Sequence, residues 1–322
     1  DAVERQNPLR AVLHVQQHAV AGLHTTHLLQ EARDVFGLLL APLGDWAWRA
    51  LLLLGAVFAL VVFIFRVKLP ESPRWLVAHG READAREVLR KVTGVEVDPN
   101  ISLEKPPHIP VRELFKGELG RRTFFVCGFW FCYATAYYGI SMYTPTILAP
   151  FTGNDRTLTI IGSGLVAVLG LVGSIIGMNV VDRWGRRPLI ITSFAGLTAS
   201  LVILALNTDP SLGFLIVMFS TAVLFSNAGG GILNFVYPTE LFPTSIRASA
   251  AGLATSVSRI GSIMGVLVFP NFVALWGANA ALWFFAVIGL AGLVICIALA
   301  PETLHRSLEE LDPTSVKAAK NA

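Results

Sequence analysis

Two apolar runs without a single charged residue, 160–181 and 189–206, are separated by only seven residues, Asp182-Arg183-Trp184-Gly185-Arg186-Arg187-Pro188. Each run is close to the ~20 residues that cross the hydrocarbon core of a bilayer as a helix. Two membrane-length helices must therefore reverse direction over a loop that carries one acid and three arginines. The glycine allows a tight turn. The arginines hold the loop on the cytoplasmic side. Asp182 can pair with an arginine or cap a helix end.

The rest of the chain agrees. Of its 322 residues 54% are hydrophobic and 15% charged, against roughly 25% charged in soluble domains. This is the composition of an integral membrane protein. Its basic residues lie beside apolar runs rather than on a polar face, so nucleic acid is excluded as a partner. Cys127, Cys132 and Cys296 lie within apolar segments at spacings that fit no zinc or redox motif, and read as small packing residues.

Seven spans are expected, near 50–67, 123–148, 160–181, 189–206, 212–236, 248–275 and 280–300. The only long polar connection, 68–122, follows the first. With that connection inside the cell, 18 basic residues fall in inside segments, while Arg156 lies outside and Arg49 near the outer boundary. This asymmetry orients the chain with a cytoplasmic C-terminus.

Residues 1–44 fit no span well. They include His14, His18, His24, His27, Glu31, Arg33 and Asp34, and each charge at mid-bilayer costs ~2.5–3.5 kcal/mol on insertion scales. The paired histidines have helical spacing that could hold a metal. Without a site context a degenerate helix or irregular leader is the plainer reading, and no metal site is assigned.

From Asp45 onward the motifs resemble, in order, the second half of a sugar-porter-like member of the major facilitator superfamily. Trp46-Ala47-Trp48-Arg49 is similar to the entry of that family's sixth helix, and Pro70-Glu71-Ser72-Pro73-Arg74-Trp75-Leu76 to the signature after it. Residues 82–92 and 111–115 resemble the short cytosolic helices of the central loop. The Asp182–Arg187 turn resembles the loop between the eighth and ninth helices. Pro238-Thr239-Glu240-Leu241-Phe242-Pro243 with Arg247 resembles the loop after the tenth. Pro301-Glu302-Thr303 and Leu308-Glu309-Glu310-Leu311 resemble the family's ending.

The resemblance implies an all-α integral membrane fold, the C-terminal half of a twelve-helix major facilitator architecture. Residues 1–44 would be a degenerate fifth helix, 45–67 the sixth, 68–122 a cytosolic loop with short helices, 123–300 a six-helix bundle and 301–322 a cytosolic tail. The loop signature should recur once per half but occurs once, so the chain is expected to be incomplete. The missing N-terminal helices of the same transporter would then be its partner. The resemblance also implies that Glu71, Arg74, Asp182, Arg183, Arg186, Arg187, Glu240 and Arg247 form a cytosolic gate of salt bridges. Ordinary positive-inside decoration is the alternative.

A substrate route needs polar or aromatic groups at mid-depth. The candidates are Tyr133, Thr135, Tyr137, Tyr138 and Tyr143 on the second span, Asn227, Asn234 and Phe235 on the fifth, and Ser258 and Arg259 on the sixth. Arg259 lies about three turns into its span at ~3.6 residues per turn, so it is either a site cation or a snorkelling structural charge. Gly173/Gly177 and Gly261/Gly265 would let helices approach closely, and Gly229-Gly230-Gly231 would either bend or unwind its helix near the site or serve close packing alone. Where hexose porters carry Gln-Gln-x-Ser-Gly-x-Asn, Cys132-Tyr133-Ala134-Thr135-Ala136-Tyr137-Tyr138 stands here. Phe235 replaces a tryptophan, and Ser258-Arg259 replaces an Asn-Trp pair. Losing amides and gaining aromatics and a cation favours an aromatic or carboxylated metabolite over a hexose.

The expected function is secondary transport of a small metabolite, an organic anion or sugar-like molecule, by alternating access and coupled to protons. The setting would be a bacterial inner membrane. The alternatives are a truncated product that transports nothing and a sensor on a transporter fold. An enzyme is not expected, because no nucleophile, base and orienter come together. No cofactor is implied.

Overall fold

The computed structural model describes residues 46–68, 70–78, 80–93, 110–153, 155–304 and 306. The expectations for 1–44 and for nearly all of the tail beyond 304 lie outside them. Every described element is helical. Helix α1 spans Ala47–Lys68, α2 Pro73–Ala78 and α3 Glu82–Thr93. A 3-10 turn, Val111–Phe115, leads into α4, Gly117–Leu148. Then come α5 (Arg156–Trp184), α6 (Arg186–Leu206) and α7 (Leu212–Phe225). A π-helical turn, Ser226–Gly231, joins α7 to α8 (Ile232–Leu241). Helices α9 (Thr244–Trp276) and α10 (Ala278–Leu299) complete the bundle.

Five helical stretches are long and apolar enough to span a membrane: Thr157–Trp184, Arg186–Leu206, Leu212–Leu241, Ser245–Trp276 and Ala278–Leu299. Helix α4 is not among them, although its 32 residues reach about 48 Å at 1.5 Å per residue. Its tyrosines and threonines dilute its apolar character, and half of them it buries. Tyr133, Thr135 and Thr144 are all buried. A helix polar on its buried side faces a protein interior rather than lipid. Helix α1 is the opposite case, with Leu53, Val57, Leu60, Phe63 and Phe65 exposed around its circumference, as suits an apolar helix in a bilayer.

The bundle is built on α4, which packs against α9 and α10; α10 also packs on α6, and α5 on α7 and the π turn. Glycine makes two of these approaches possible. A Cβ at Gly261 or Gly265 would run into the α4 backbone at Phe131 and Thr135, and one at Gly173 or Gly177 into the carbonyls of Leu224 and Ala228. At one end of the core Phe125, Phe129 and Tyr237 form a fully buried aromatic group, with the Phe125 and Tyr237 rings edge-on at 5.0 Å.

The turn between the two apolar runs is shorter than its sequence implies. In place of a seven-residue loop, α5 runs on through Trp184 and α6 begins at Arg186, leaving Gly185 alone outside a helix. The reversal at Gly185 brings Asp182 in the last turn of α5 and Arg186 at the start of α6 together, their side chains meeting at 3.2 Å. Gly185 has φ +94°, a region that L side chains rarely enter.

Candidate functional site

The polar residues gather in two places. The first is the bundle end that carries the Gly185 turn. The Arg186 guanidinium lies 2.9 Å from the Glu240 carboxylate at the end of α8. It also meets Asp182 and the Val181 carbonyl. The second Glu240 oxygen accepts from the Thr303 hydroxyl at 2.5 Å. Arg186 and Glu240 are largely shielded, their side chains 13% and 19% exposed, whereas Asp182 is open to solvent. The pair therefore sits where water screens it little.

Glu302 completes this cluster. Its carboxylate accepts the backbone N–H groups of Arg186 at 3.0 Å and Arg187 at 3.1 Å, so it caps the start of α6 from a distant segment. It also accepts from the amides of Thr303 and Leu304. Burial pushes its carboxyl pKa up, but the four backbone donors outweigh burial and hold it below the usual glutamate value. Donors fixed by the backbone stabilise the ionised form without having to reorganise.

The other expected gate residues are arranged as follows. Arg187 reaches the Ile297 carbonyl, and Arg247 donates to the Phe242 carbonyl just past α8. Arg183 is exposed. Glu71 is exposed at the foot of α1 and makes no hydrogen bond or ion pair among the described residues. The side chain of Arg74 lies outside the described set. Arg122, Glu302 and Thr303 belong to the cluster without having been named as gate residues. Arg122 donates from Nη1 to the Leu241 carbonyl and pairs with Glu118. The signal for Glu302 and Thr303 was present, since they directly follow the last apolar run.

The second polar gathering lies at mid-depth. Tyr133 is the seventeenth residue of the 32 in α4, and Asn227 is near the middle of the span Leu212–Leu241. Both are buried, and the Tyr133 hydroxyl lies 3.4 Å from Asn227 Oδ1. Tyr133 stacks on Tyr137 at 5.4 Å, and Tyr137 meets Tyr138 edge-on at 5.5 Å. The π turn presents Asn227 here. Its widened backbone is satisfied from α6, where the Ser193 hydroxyl donates to the Phe225 carbonyl at 2.6 Å and accepts the Gly230 N–H at 3.0 Å. A side chain on Gly230 would strike the Tyr133 ring, and one on Gly229 would strike Ser193 and the Leu189 carbonyl. The triple glycine is thus a close-packing requirement as well as a departure from α geometry.

The remaining candidates divide. Asn234 is buried on α8, and its side-chain oxygen has no hydrogen-bond partner among the described residues. Phe235 packs edge-on against Trp130 at 5.9 Å. Thr135 is fully buried, but its hydroxyl bonds the Phe131 carbonyl and its flank faces Gly261. Ser258 likewise bonds back to the Thr255 carbonyl. Tyr143 donates to the Val266 carbonyl and stacks on Phe269, so it ties α4 to α9 away from the mid-depth group. Arg259 is sixteenth of the 33 residues of α9 and exposed, with no ion pair among the described residues. It shares the depth of Tyr133, and no hydrogen bond or ion pair joins it to that group among the described residues.

Five membrane-length apolar helical stretches with buried polar groups at mid-depth and an ion-paired end are the architecture of a multi-span membrane protein. The chain belongs to the sugar (and other) transporter family, whose family model matches residues 34–314. It is 34% identical over 273 residues to YaaU of Escherichia coli (strain K12), named for metabolite transport, covering 85% of this chain and 61% of that protein. It is 34% identical over 259 residues to the inner membrane metabolite transport protein YgcS of the same organism, covering 80% and 57%. The fold matches the proton:xylose symporter XylE bound to 6-bromo-6-deoxy-D-glucose with a TM-score of 0.70 at 21% identity, over 90% of this chain and 66% of that one. The chain thus spans about three fifths of the length of these curated relatives.

Proposed function

We propose that this chain forms the C-terminal part of a secondary active transporter that moves a small polar or anionic metabolite by alternating access. The observation that carries the reading is the lock of Arg186, Glu240 and Thr303 beyond a buried polar group at mid-depth. An ion pair that is shielded but built from only a few bonds holds one end of the bundle shut, and its disruption opens a path to Tyr133 and Asn227. The excess of basic residues in 68–122 and in the Gly185 turn assigns the locked end and the C-terminus to the cytoplasmic side.

The substrate site on this reading comprises Tyr133, Tyr137, Tyr138, Asn227, Asn234 and Phe235, with Thr135 and Ser258 shaping its wall. The unpartnered oxygen of Asn234 needs a donor, which a substrate hydroxyl or ammonium supplies. Arg259, exposed at the same depth on α9, would bring a cation for a carboxylate. The stacked tyrosines support an aromatic or carboxylated substrate over a hexose. The names of the relatives support a metabolite without specifying it, and XylE's description as a proton symporter supports proton coupling.

The test is uptake by proteoliposomes containing the chain, alone and joined to the N-terminal helices of a relative such as YaaU. Hexoses, pentoses and aromatic carboxylates are offered with and without an inward proton gradient. Gradient-driven uptake of carboxylates that Arg259→Ala abolishes supports the full reading. Uptake of sugars unaffected by Arg259→Ala rejects the carboxylate assignment, and no uptake of any solute by the joined protein rejects transport.

A further inference from the structure

The end of the bundle that carries the Arg186–Glu240 lock also carries a basic and aromatic face for which the transport reading has no use. Residues 111–124 hold four cations, Arg112, Lys116, Arg121 and Arg122, against two carboxylates, Glu113 and Glu118. The carboxylates are already engaged. Glu113 lies 3.0 Å from Lys116 and 4.0 Å from Arg112, and Glu118 lies 3.3 Å from Arg122. Arg122 is further committed to the Leu241 carbonyl, which fixes this face beside the lock. Arg121 differs from all three. It is exposed and makes no hydrogen bond or ion pair among the described residues.

Exposed rings flank Arg121 in sequence. Phe124, one turn further along the same face of α4, is 62% exposed, and Phe115 at the end of the 3-10 turn is 67% exposed. Val111 is exposed as well. Two phenyl rings beside uncompensated positive charge suit neither bulk water nor an acidic soluble partner. They suit the boundary of a bilayer, where rings meet acyl chains and cations meet phosphate. Beyond Phe124 no residue of α4 is exposed until Met142, so the exposed ring belongs to this end of the helix alone.

The geometry points to a binding site for an anionic phospholipid on this face. Arg121 and Lys116 take the headgroup phosphate, Arg112 lies at the rim, and Phe115 and Phe124 receive the upper acyl chain. The site is independent of whatever the protein transports. It anchors the start of α4 against the membrane surface, next to the residues that lock the bundle end.

The experiment is native mass spectrometry of the protein eluted from detergent micelles containing equal amounts of phosphatidylglycerol and phosphatidylcholine. The wild-type chain is expected to retain phosphatidylglycerol preferentially. Each lost cation should lower the retained ratio about fivefold, so Arg121→Gln falls by about that factor and Arg121→Gln with Lys116→Gln further. Arg121→Lys should keep most of the preference. Lys91→Gln on α3 removes an equal charge outside the patch and should leave the ratio unchanged. Phe124→Ser should lower retention of both lipids alike, and its folding is checked by its elution volume. An unchanged ratio in Arg121→Gln overturns the proposal, and so does an equal loss in Lys91→Gln, which would mean that only diffuse surface charge is at work.

Discussion

Arg186 and Glu240 stand 54 residues apart in sequence and meet at 2.9 Å. Each belongs to a different helix end, and Thr303 holds the far side of the Glu240 carboxylate from a third segment. Three chain ends are thereby fastened by one carboxylate. Removing one member of a shielded pair leaves the other charge without compensation, at a cost of about 3 kcal/mol. Glu240→Gln is therefore expected to lower the midpoint of thermal unfolding in detergent clearly, and Arg186→Gln to do the same. The double substitution should cost less than the two single losses added together. Additive losses would mean that the two residues do not act on one another.

Glu302 gives the fold a dependence on pH. Its carboxyl is held below the ordinary value of 4.5, since the donated amide hydrogens outweigh burial. A group whose folded pKa is depressed contributes stability that is fully present above the ordinary value and is lost as pH falls through the folded one. Unfolding midpoints recorded from neutral pH down through this range should fall in the wild-type chain. In Glu302→Gln this part of the dependence should be absent, because the amide cannot titrate. An identical pH profile in both proteins would count against the capping role.

Gly185 is required twice over. Its φ of +94° is unfavourable for any side chain, and a Cβ there would lie about 2.5 Å from the Glu302 carboxylate. Gly185→Ala should destabilise the chain by about 1–2 kcal/mol from backbone strain alone, with displacement of Glu302 adding to it. In the background of Glu302→Ala the steric part should vanish and the strain part remain. Unfolding of the two backgrounds by denaturant separates them.

At mid-depth, Tyr133→Phe removes a hydroxyl and little volume. The Tyr133 hydroxyl donates to Asn227, and one neutral hydrogen bond contributes about 1 kcal/mol, so the substitution should lower the unfolding midpoint slightly and weaken substrate binding about fivefold. Gly230→Ala should do more harm, because its methyl group enters the space of the Tyr133 ring. Half-saturation for uptake in the proteoliposomes, measured beside unfolding midpoints, distinguishes a site residue from a packing residue.

Much of the architecture could be read from charge placement alone. The uncharged runs at 160–181 and 189–206 lie within α5 and α6, because a bilayer admits few other solutions for such runs. Arg186 and Glu240 were legible as charged residues at helix ends through the motifs that contain them, though their pairing with one another was not. The length of the Gly185 turn was not legible either, since α6 starts at Arg186 with its first amides accepted by Glu302, 116 residues further along the chain. The mid-depth group was legible in its members but not in its membership. Thr135 and Tyr133 are both buried on α4, yet only the direction of each side chain shows that Tyr133 meets Asn227 while Thr135 is wedged against Gly261. The π turn was hinted at by three glycines, but its latch, Ser193, lies 37 residues from Gly230 and no local pattern identifies it.

The central claim is that the Arg186–Glu240 pair closes one route to the mid-depth group. The most direct measurement is labelling of Asn227→Cys by a charged, membrane-impermeant thiol reagent added from the locked side. The protein is reconstituted with Cys127, Cys132 and Cys296 replaced by serine. The account predicts slow labelling with the lock intact and labelling at least about tenfold faster once Glu240→Gln breaks it. Equal labelling rates in the two proteins would contradict it, whether both fast or both slow.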